Sequence, residues 1–170
     1  MRFDRIKIRG LGPYKGDVDI DLANLPGPLV AVCGPNGAGK SSLLEILAAS
    51  VYRQCPTRGT LASLATSRDA YVEAQVVNGR AYTIRHTVDC ISKKGESLVL
   101  DAAGNPVLDS AKVSAFDSWA AVHFPTPEVF YSSSFAIQGR RGFLDLGHRH
   151  LLRRHWHEAP RPCLLKAAMN

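Results

Sequence analysis

No apolar run in this chain approaches the ~20 residues that a membrane-spanning helix needs. The opening residues, Met1-Arg2-Phe3-Asp4-Arg5, carry no apolar core of a secretory signal. There are only four cysteines, Cys33, Cys55, Cys90 and Cys163, and no Cys-x-x-Cys pair. That excludes a zinc ribbon and argues against a disulfide frame, so reduced thiols in a cytosol are expected. Internal repeats and heptads are absent. Excess charge is missing from most of the chain as well. Of the net +6, Met1 to Ile137 contributes 14 Lys plus Arg against 13 Asp plus Glu, whereas Gln138 to Asn170 contributes 7 against 2 and holds four of the six histidines. The main domain therefore has no basic face readable from the sequence.

What is present suits one globular domain. The 170 residues are 45% hydrophobic and 21% charged, and a chain of this length can bury roughly 70% of its unfolded surface. Phe3 to Leu11 alternates at Ile6-Lys7-Ile8-Arg9, as a half-buried strand does. Gly10-Leu11-Gly12-Pro13 turns the chain, and Asp17 to Leu22 alternates acid and apolar as a second strand. Leu29 to Cys33 is continuously apolar, the pattern of a strand covered on both faces. Ser41 to Tyr52 spaces Leu43, Leu44, Ile46, Leu47 and Val51 as a helix. Gln54 to Arg68 reads as loop. Two hairpins are expected, Ala70 to Val88 about Asn78-Gly79 and Ser97 to Leu108 about Gly104-Asn105. A helix over Asp109 to Val122, capped by Asp109 or Ser110 and stopped by Pro125, precedes a last strand through Val129-Phe130-Tyr131 and Phe135-Ala136-Ile137. His86 and His123 are expected in or beside the core.

Between the apolar run and the first helix stands Gly34-x-x-x-x-Gly39-Lys40-Ser41, a P-loop. Its chemistry follows from its residue types. Glycines at 34, 37 and 39 let successive backbone N–H groups turn toward phosphate oxygens. The helix start adds unpaired donors and the positive end of a dipole. Lys40 brings a mobile charge for the β- and γ-phosphates, and Ser41 a hydroxyl for Mg²⁺. Asn36, Ala38 and Ser42 complete the expected contacts. A nucleoside triphosphate with Mg²⁺ is the expected ligand, and the absence of an Asn-Lys-x-Asp motif argues against guanine.

Three segments in order, Ile8-Arg9-Gly10-Leu11-Gly12-Pro13-Tyr14-Lys15-Gly16, Val18-Asp19-Ile20-Asp21-Leu22 and Gly34-Pro35-Asn36-Gly37-Ala38-Gly39-Lys40-Ser41-Ser42, resemble the N-terminus of SbcC-type ATPases. These belong to the branch of the ABC ATPases that is similar to structural-maintenance-of-chromosomes proteins. Ala65 to Glu73 and Phe135-Ala136-Ile137-Gln138-Gly139, followed by Phe143-Leu144-Asp145, also resemble that family, so the likeness covers roughly residues 1 to 146. It implies an α/β fold: the N-terminal lobe of an ABC-type P-loop ATPase head with an antiparallel β-rich subdomain, and an incomplete head. It implies that ATP and Mg²⁺ are the cofactors, that Gln138 lies on the metal or the attacking water, and that Ser63, Leu64 and Ala65 lie beside the base. Where many relatives carry a basic residue after the first strand, this chain has Gly12-Pro13, and neither Tyr14 nor Lys15 is assigned that role.

A complete head of that family adds a Leu-Ser-Gly-Gly signature, an acidic motif ending Asp-Glu and a switch histidine, and none occurs here. Leu98-Val99-Leu100-Asp101 imitates the acidic motif without its glutamate and reads as an ordinary strand end. No catalytic residue is assigned. The expected partners are a missing C-terminal half, an SbcD-like nuclease and, through the assembly, DNA, with no membrane. The expected place is the cytoplasm, at the nucleoid. Rival readings are a non-catalytic nucleotide-binding remnant or docking module, and an unrelated P-loop kinase. Residues 147–170, rich in Arg, His, Leu and Pro, form a separate tail. It reads foremost as the degenerate or frame-shifted end of a truncated gene, then as a basic nucleic-acid-binding segment, and last as a histidine metal site.

Overall fold

The computed structural model of the chain describes residues 1–25 and 30–133. Met1–Phe130 form one compact unit, and of the second, Tyr131–Asn170, residues 131–133 are described. The elements run β1 (Arg2–Arg9), β2 (Val18–Asp21), α1 (Lys40–Tyr52), β3 (Gln54–Cys55), β4 (Gly59–Thr60), α2 (Leu61–Leu64), β5 (Ala70–Asn78), β6 (Arg80–Val88), β7 (Gly95–Leu100), α3 (Val113–His123) and α4 (Pro127–Ser133). The architecture is the α/β N-terminal lobe that the sequence predicts.

One five-stranded sheet, ordered β2-β1-β5-β6-β7 with every pairing antiparallel, organises the unit. Period-2 alternation sends Ile6, Ile8, Val72, Ala74, Val76, Ile84 and Val99 to one face, where each is fully buried. Helix α1 covers the β1 side of that face through Leu43, Ile46 and Ala49. Helix α3 covers the other side through Phe116 and Ala120. The opposite face is charged. Lys7, Glu73 and Arg85 stand opposite one another across β1, β5 and β6. The Glu73 carboxylate lies 3.1 Å from Lys7 Nζ and 3.4 Å from an Arg85 nitrogen. Such solvent-facing pairs contribute at most about 1 kcal/mol each, so they mark the wet face more than they stabilise it.

His86 is a polar ring inside the apolar face. It is 1% exposed and meets Phe116 edge-on at 4.5 Å. Its Nε2 lies 2.9 Å from the Ser50 carbonyl and its Nδ1 2.8 Å from Ser97 Oγ. A carbonyl only accepts, so Nε2 carries the proton and Nδ1 accepts from the serine hydroxyl. Both ring nitrogens are satisfied, which makes a neutral His86 a core residue, as expected. His123 is exposed and stacks on Trp119 at 4.6 Å.

Several expectations need correction. Residues 30–35 carry no regular structure, and Val30 and Val32 are 50% and 43% exposed. A strand needs a hydrogen-bonded neighbour along at least one edge, and among the described residues no strand pairs with this run. Leu29 lies outside the described residues. Gln54 to Arg68 is not plain loop but holds the small β3–β4 pair and α2. The strand expected after Gly104 shrinks to a single bridge between Leu100 and Pro106, because proline lacks the N–H that a ladder needs. Residues up to 111 then run along β7, with Ser97 N–H donating to the Ala111 carbonyl at 2.9 Å. Helix α3 therefore starts at Val113 and not at Asp109. Val129-Phe130-Tyr131 lies in α4 and not in a strand; Pro127 opens that helix and Glu128 occupies its first turn, both N-terminal signals. Phe135 to Ile137 and residues 147–170 lie outside the described residues.

Cys55 illustrates the core's effect on chemistry. It is 5% exposed, and burial first, with Glu45 second, pushes its thiol up to about 12. At pH 8 about one molecule in ten thousand then carries the thiolate, the reacting species. Pulse alkylation followed by mass spectrometry is expected to label exposed Cys33 in the native chain and to label Cys55 only after unfolding. Equal labelling of the two would show that the β3 region opens readily.

Candidate functional site: the P-loop and the turn beneath it

The loop ends as its glycines require. Gly37 and Gly39 have φ of +84° and +96°, a region costly for any residue with a Cβ. Gly39 caps α1 in a left-handed conformation, and its carbonyl accepts the Leu43 N–H at 2.8 Å. Lys40 is thus the first residue of the helix, and its N–H has no intrahelical acceptor. Its side chain folds back over the loop, with Nζ 2.8 Å from the carbonyls of both Gly34 and Pro35. The charge therefore sits at the mouth of the loop on two soft, exposed carbonyl contacts, ready to exchange them for phosphate oxygens.

The other expected residues divide by exposure. Asn36 and Ala38 are exposed on the loop. Ser41 is exposed in the first helical turn, where a hydroxyl can reach a metal beside the phosphates, whereas Ser42 is 3% exposed and faces the core. Ser63, Leu64 and Ala65 lie at the end of α2 and just after it. The Ser63 hydroxyl is engaged by Thr60 in a capping box, with Thr60 N–H 3.3 Å away. Leu64 and Ala65 are 6% and 8% exposed. Gln138 lies outside the described residues. The Asp101 carboxylate accepts the N–H groups of Ala103 and Asn105, each at 2.9 Å, and shapes the turn after β7. Among the described residues no cluster of three or more His, Cys, Asp or Glu could hold a metal ion. No helix among them is long and apolar enough to cross a membrane.

The turn after β1 joins the separate pieces. Leu11 and Tyr14 exchange backbone bonds of 3.2 and 3.0 Å. Gly12 N–H donates to the Leu64 carbonyl at 2.8 Å, tying the turn to the segment expected beside the base. The Tyr14 hydroxyl donates to the Gly39 carbonyl at 2.9 Å, tying it to the P-loop. Sequence reasoning did not find this contact; Tyr14 and Gly39 are 25 residues apart and no periodicity links them. It also missed Glu45, an α1 carboxylate 6% exposed that accepts the Thr57 hydroxyl and lies 3.5 Å from Arg58.

The chain is 35% identical over 99 residues to the hemin import ATP-binding protein HmuV of Nitrobacter winogradskyi, a match spanning 54% of this chain and 36% of that protein. It is 52% identical over 42 residues to HmuV of Gloeobacter violaceus, spanning 25% and 14%. The chain thus spans about a third or less of the length of these relatives. Among solved structures, the SMC head domain from Thermotoga maritima matches with a TM-score of 0.44 at 22% identity, over 63% of this chain and 39% of that one. The family model described as an AAA domain matches residues 5–115, from β1 through the P-loop and the β5–β6–β7 hairpins into α3. That span exceeds half the chain, and with the P-loop at the head of α1 it makes the protein a nucleotide-binding, ATPase-type domain that belongs to the AAA-domain family.

Proposed function

We propose that the chain is the ATP- and Mg²⁺-binding N-terminal part of an SbcC-like ATPase acting in DNA double-strand-break repair or recombination. The observation that carries the nucleotide reading is the loop–helix junction, where Gly39 caps α1 and puts Lys40 and Ser41 at its N-terminus. Support for the DNA reading comes from the order of the β1 turn, the acidic β2, the P-loop and the β5–β6 hairpin, together with the resemblance of these segments. The expected partner is a C-terminal half carrying the signature and acidic motifs, with an SbcD-like nuclease docking on the assembly at the nucleoid. The run at 30–33 fits that picture: Val30 and Val32 are exposed, and so is Leu44 on α1, 45% exposed. A second reading, the ATP-binding part of an importer, is favoured by the names of the similar HmuV proteins.

Holding phosphate and cleaving it use different groups. Lys40 and Ser41 can bind phosphates and metal, but a working site also needs a group that orients the attacking water and charge opposite the leaving phosphate. Titration with a fluorescent ATP analogue is expected to show Mg²⁺-dependent binding. A phosphate-release assay on the chain alone is expected to stay near background, far under the roughly 1–100 per second of working phosphoryl-transfer enzymes. Addition of the C-terminal half is expected to raise it, and addition of DNA to raise it again. Robust Lys40-dependent release by the chain alone would overturn the division of the site between two halves; stimulation by a transporter subunit and not by DNA would favour the importer.

A further inference from the structure

We propose that Tyr14 is a positioning residue for the P-loop: by donating its hydroxyl to the Gly39 carbonyl it aims the Lys40 N–H and so sets affinity for the nucleotide's phosphates. The proposal rests on the reading of the loop as a nucleotide site. It begins with the peptide bond. In a trans peptide the carbonyl and the following N–H point in opposite directions in one plane. Whatever fixes the Gly39 carbonyl therefore fixes the direction of the Lys40 N–H, which is one of the donors left unpaired at the start of α1. The Gly39 carbonyl takes two donors, Leu43 N–H at 2.8 Å and the Tyr14 hydroxyl at 2.9 Å. The first comes from within the helix and moves with it. The second comes from the turn between β1 and β2 and references the loop to the rest of the unit.

That reference point is firm. Leu11 is fully buried in the core, and the turn from Leu11 to Tyr14 is closed by backbone bonds and tied by Gly12 to Leu64. Tyr14 itself packs against the core beside α1, and burial raises its hydroxyl above the usual range for a tyrosine, so it stays a protonated donor throughout the neutral range. The fit is close. A Cβ placed on Gly39 would lie 2.6 Å from Pro13 Cγ and 3.0 Å from the Tyr14 hydroxyl oxygen. Gly39 is therefore fixed both by its left-handed backbone and by the turn pressed against it. The helix does not need the tyrosine to form, because its first intrahelical bond to the same carbonyl is already made. Loss of the hydroxyl is accordingly expected to loosen the aim of one donor and leave the fold intact.

Tyr14→Phe removes only that hydroxyl. A single hydrogen bond predicts about a three- to ten-fold weaker affinity for ATP·Mg²⁺, with the melting temperature of the nucleotide-free chain unchanged. In the ¹H–¹⁵N spectrum of the free variant the Lys40 amide is expected to shift, a signature that a purely structural role would not give. Tyr71→Phe, which removes an exposed hydroxyl 3.2 Å from Asp17, is the control and is expected to change neither. Parent-like affinity with an unmoved Lys40 amide would overturn the proposal, and so would a fall in melting temperature that accounts for the weaker binding. Failure of the parent chain itself to bind ATP·Mg²⁺, with Lys40→Ala indistinguishable from it, would overturn the nucleotide reading and this one together.

Discussion

Lys40→Ala is expected to abolish stabilisation of the chain by ATP·Mg²⁺ while leaving the nucleotide-free protein essentially as stable as the parent. The two halves of this expectation have different origins. A ligand present at a hundred times its dissociation constant stabilises the native state by about 2.7 kcal/mol, which for a domain of this size raises the melting temperature by about 5–10 °C. Lys40 is the mobile cation at the mouth of the loop, and without it the phosphates lose their main charge partner. In the free protein its ammonium holds only two loop carbonyls, of Gly34 and Pro35, in exposed positions. Water replaces those contacts at little cost. A thermal-shift series with and without ATP·Mg²⁺ reads both numbers. Equal stabilisation of variant and parent would remove the loop from nucleotide binding.

Acidification is expected to destabilise the chain by about 3 kcal/mol between pH 7 and pH 4, chiefly through His86. Burial pushes its imidazole down to about 4 from an ordinary value of 6.5. Its folded pKa is thus depressed below the unfolded one, so between these values the unfolded chain binds more protons than the native one. Stability therefore rises with pH across that window and levels off above pH 6.5. Each pH unit is worth about 1.4 kcal/mol, which sets the total. Two exposed carboxylates titrate lower. Asp19, held below its usual range of 3.8 by its hydrogen bond to Arg5, and Asp101, held down by the Asn105 N–H, contribute above that range and lose the contribution as pH falls through their still lower folded values. The two windows hardly overlap. Urea unfolding at a series of pH values is expected to show the slope, and His86→Leu to flatten it at the cost of a lower plateau, since Ser50 and Ser97 lose their partner. A parent slope that survives in the variant would assign the acid sensitivity elsewhere.

The parts of the fold that were legible in the sequence are those whose pattern is set by a near neighbour. β5 and β6 alternate because their faces differ, and Gly79 marks their junction; β1 alternates for the same reason, and α1 follows its glycine-rich start. Val30 to Cys33 departs from the strand expected there because an apolar run reports a residue's preference for burial, not the presence of something to bury it. Val129 to Tyr131 is too short to distinguish a period of 2 from one of 3.6, and Pro127 was the better signal. At the site, the P-loop was legible because its glycines, Lys40 and Ser41 follow one another in the chain. The Tyr14–Gly39 bond was not, because it depends on where the β1 turn lands after the sheet closes.

That closure has a consequence for the order of folding. The β5–β6 hairpin joins adjacent segments through a single glycine and costs little loop-closure entropy, so microseconds suffice. β1 is different: Arg9 pairs with Tyr71 and Arg2 with Val77, so its docking closes a loop of about sixty residues that contains the whole P-loop and α1. The slow, non-local step of folding is therefore the one that brings Tyr14 beneath Gly39. A chain whose hairpins have formed but whose first strand has not docked has its phosphate-binding residues in sequence and not yet in space, and nucleotide can reward only the last step of assembly.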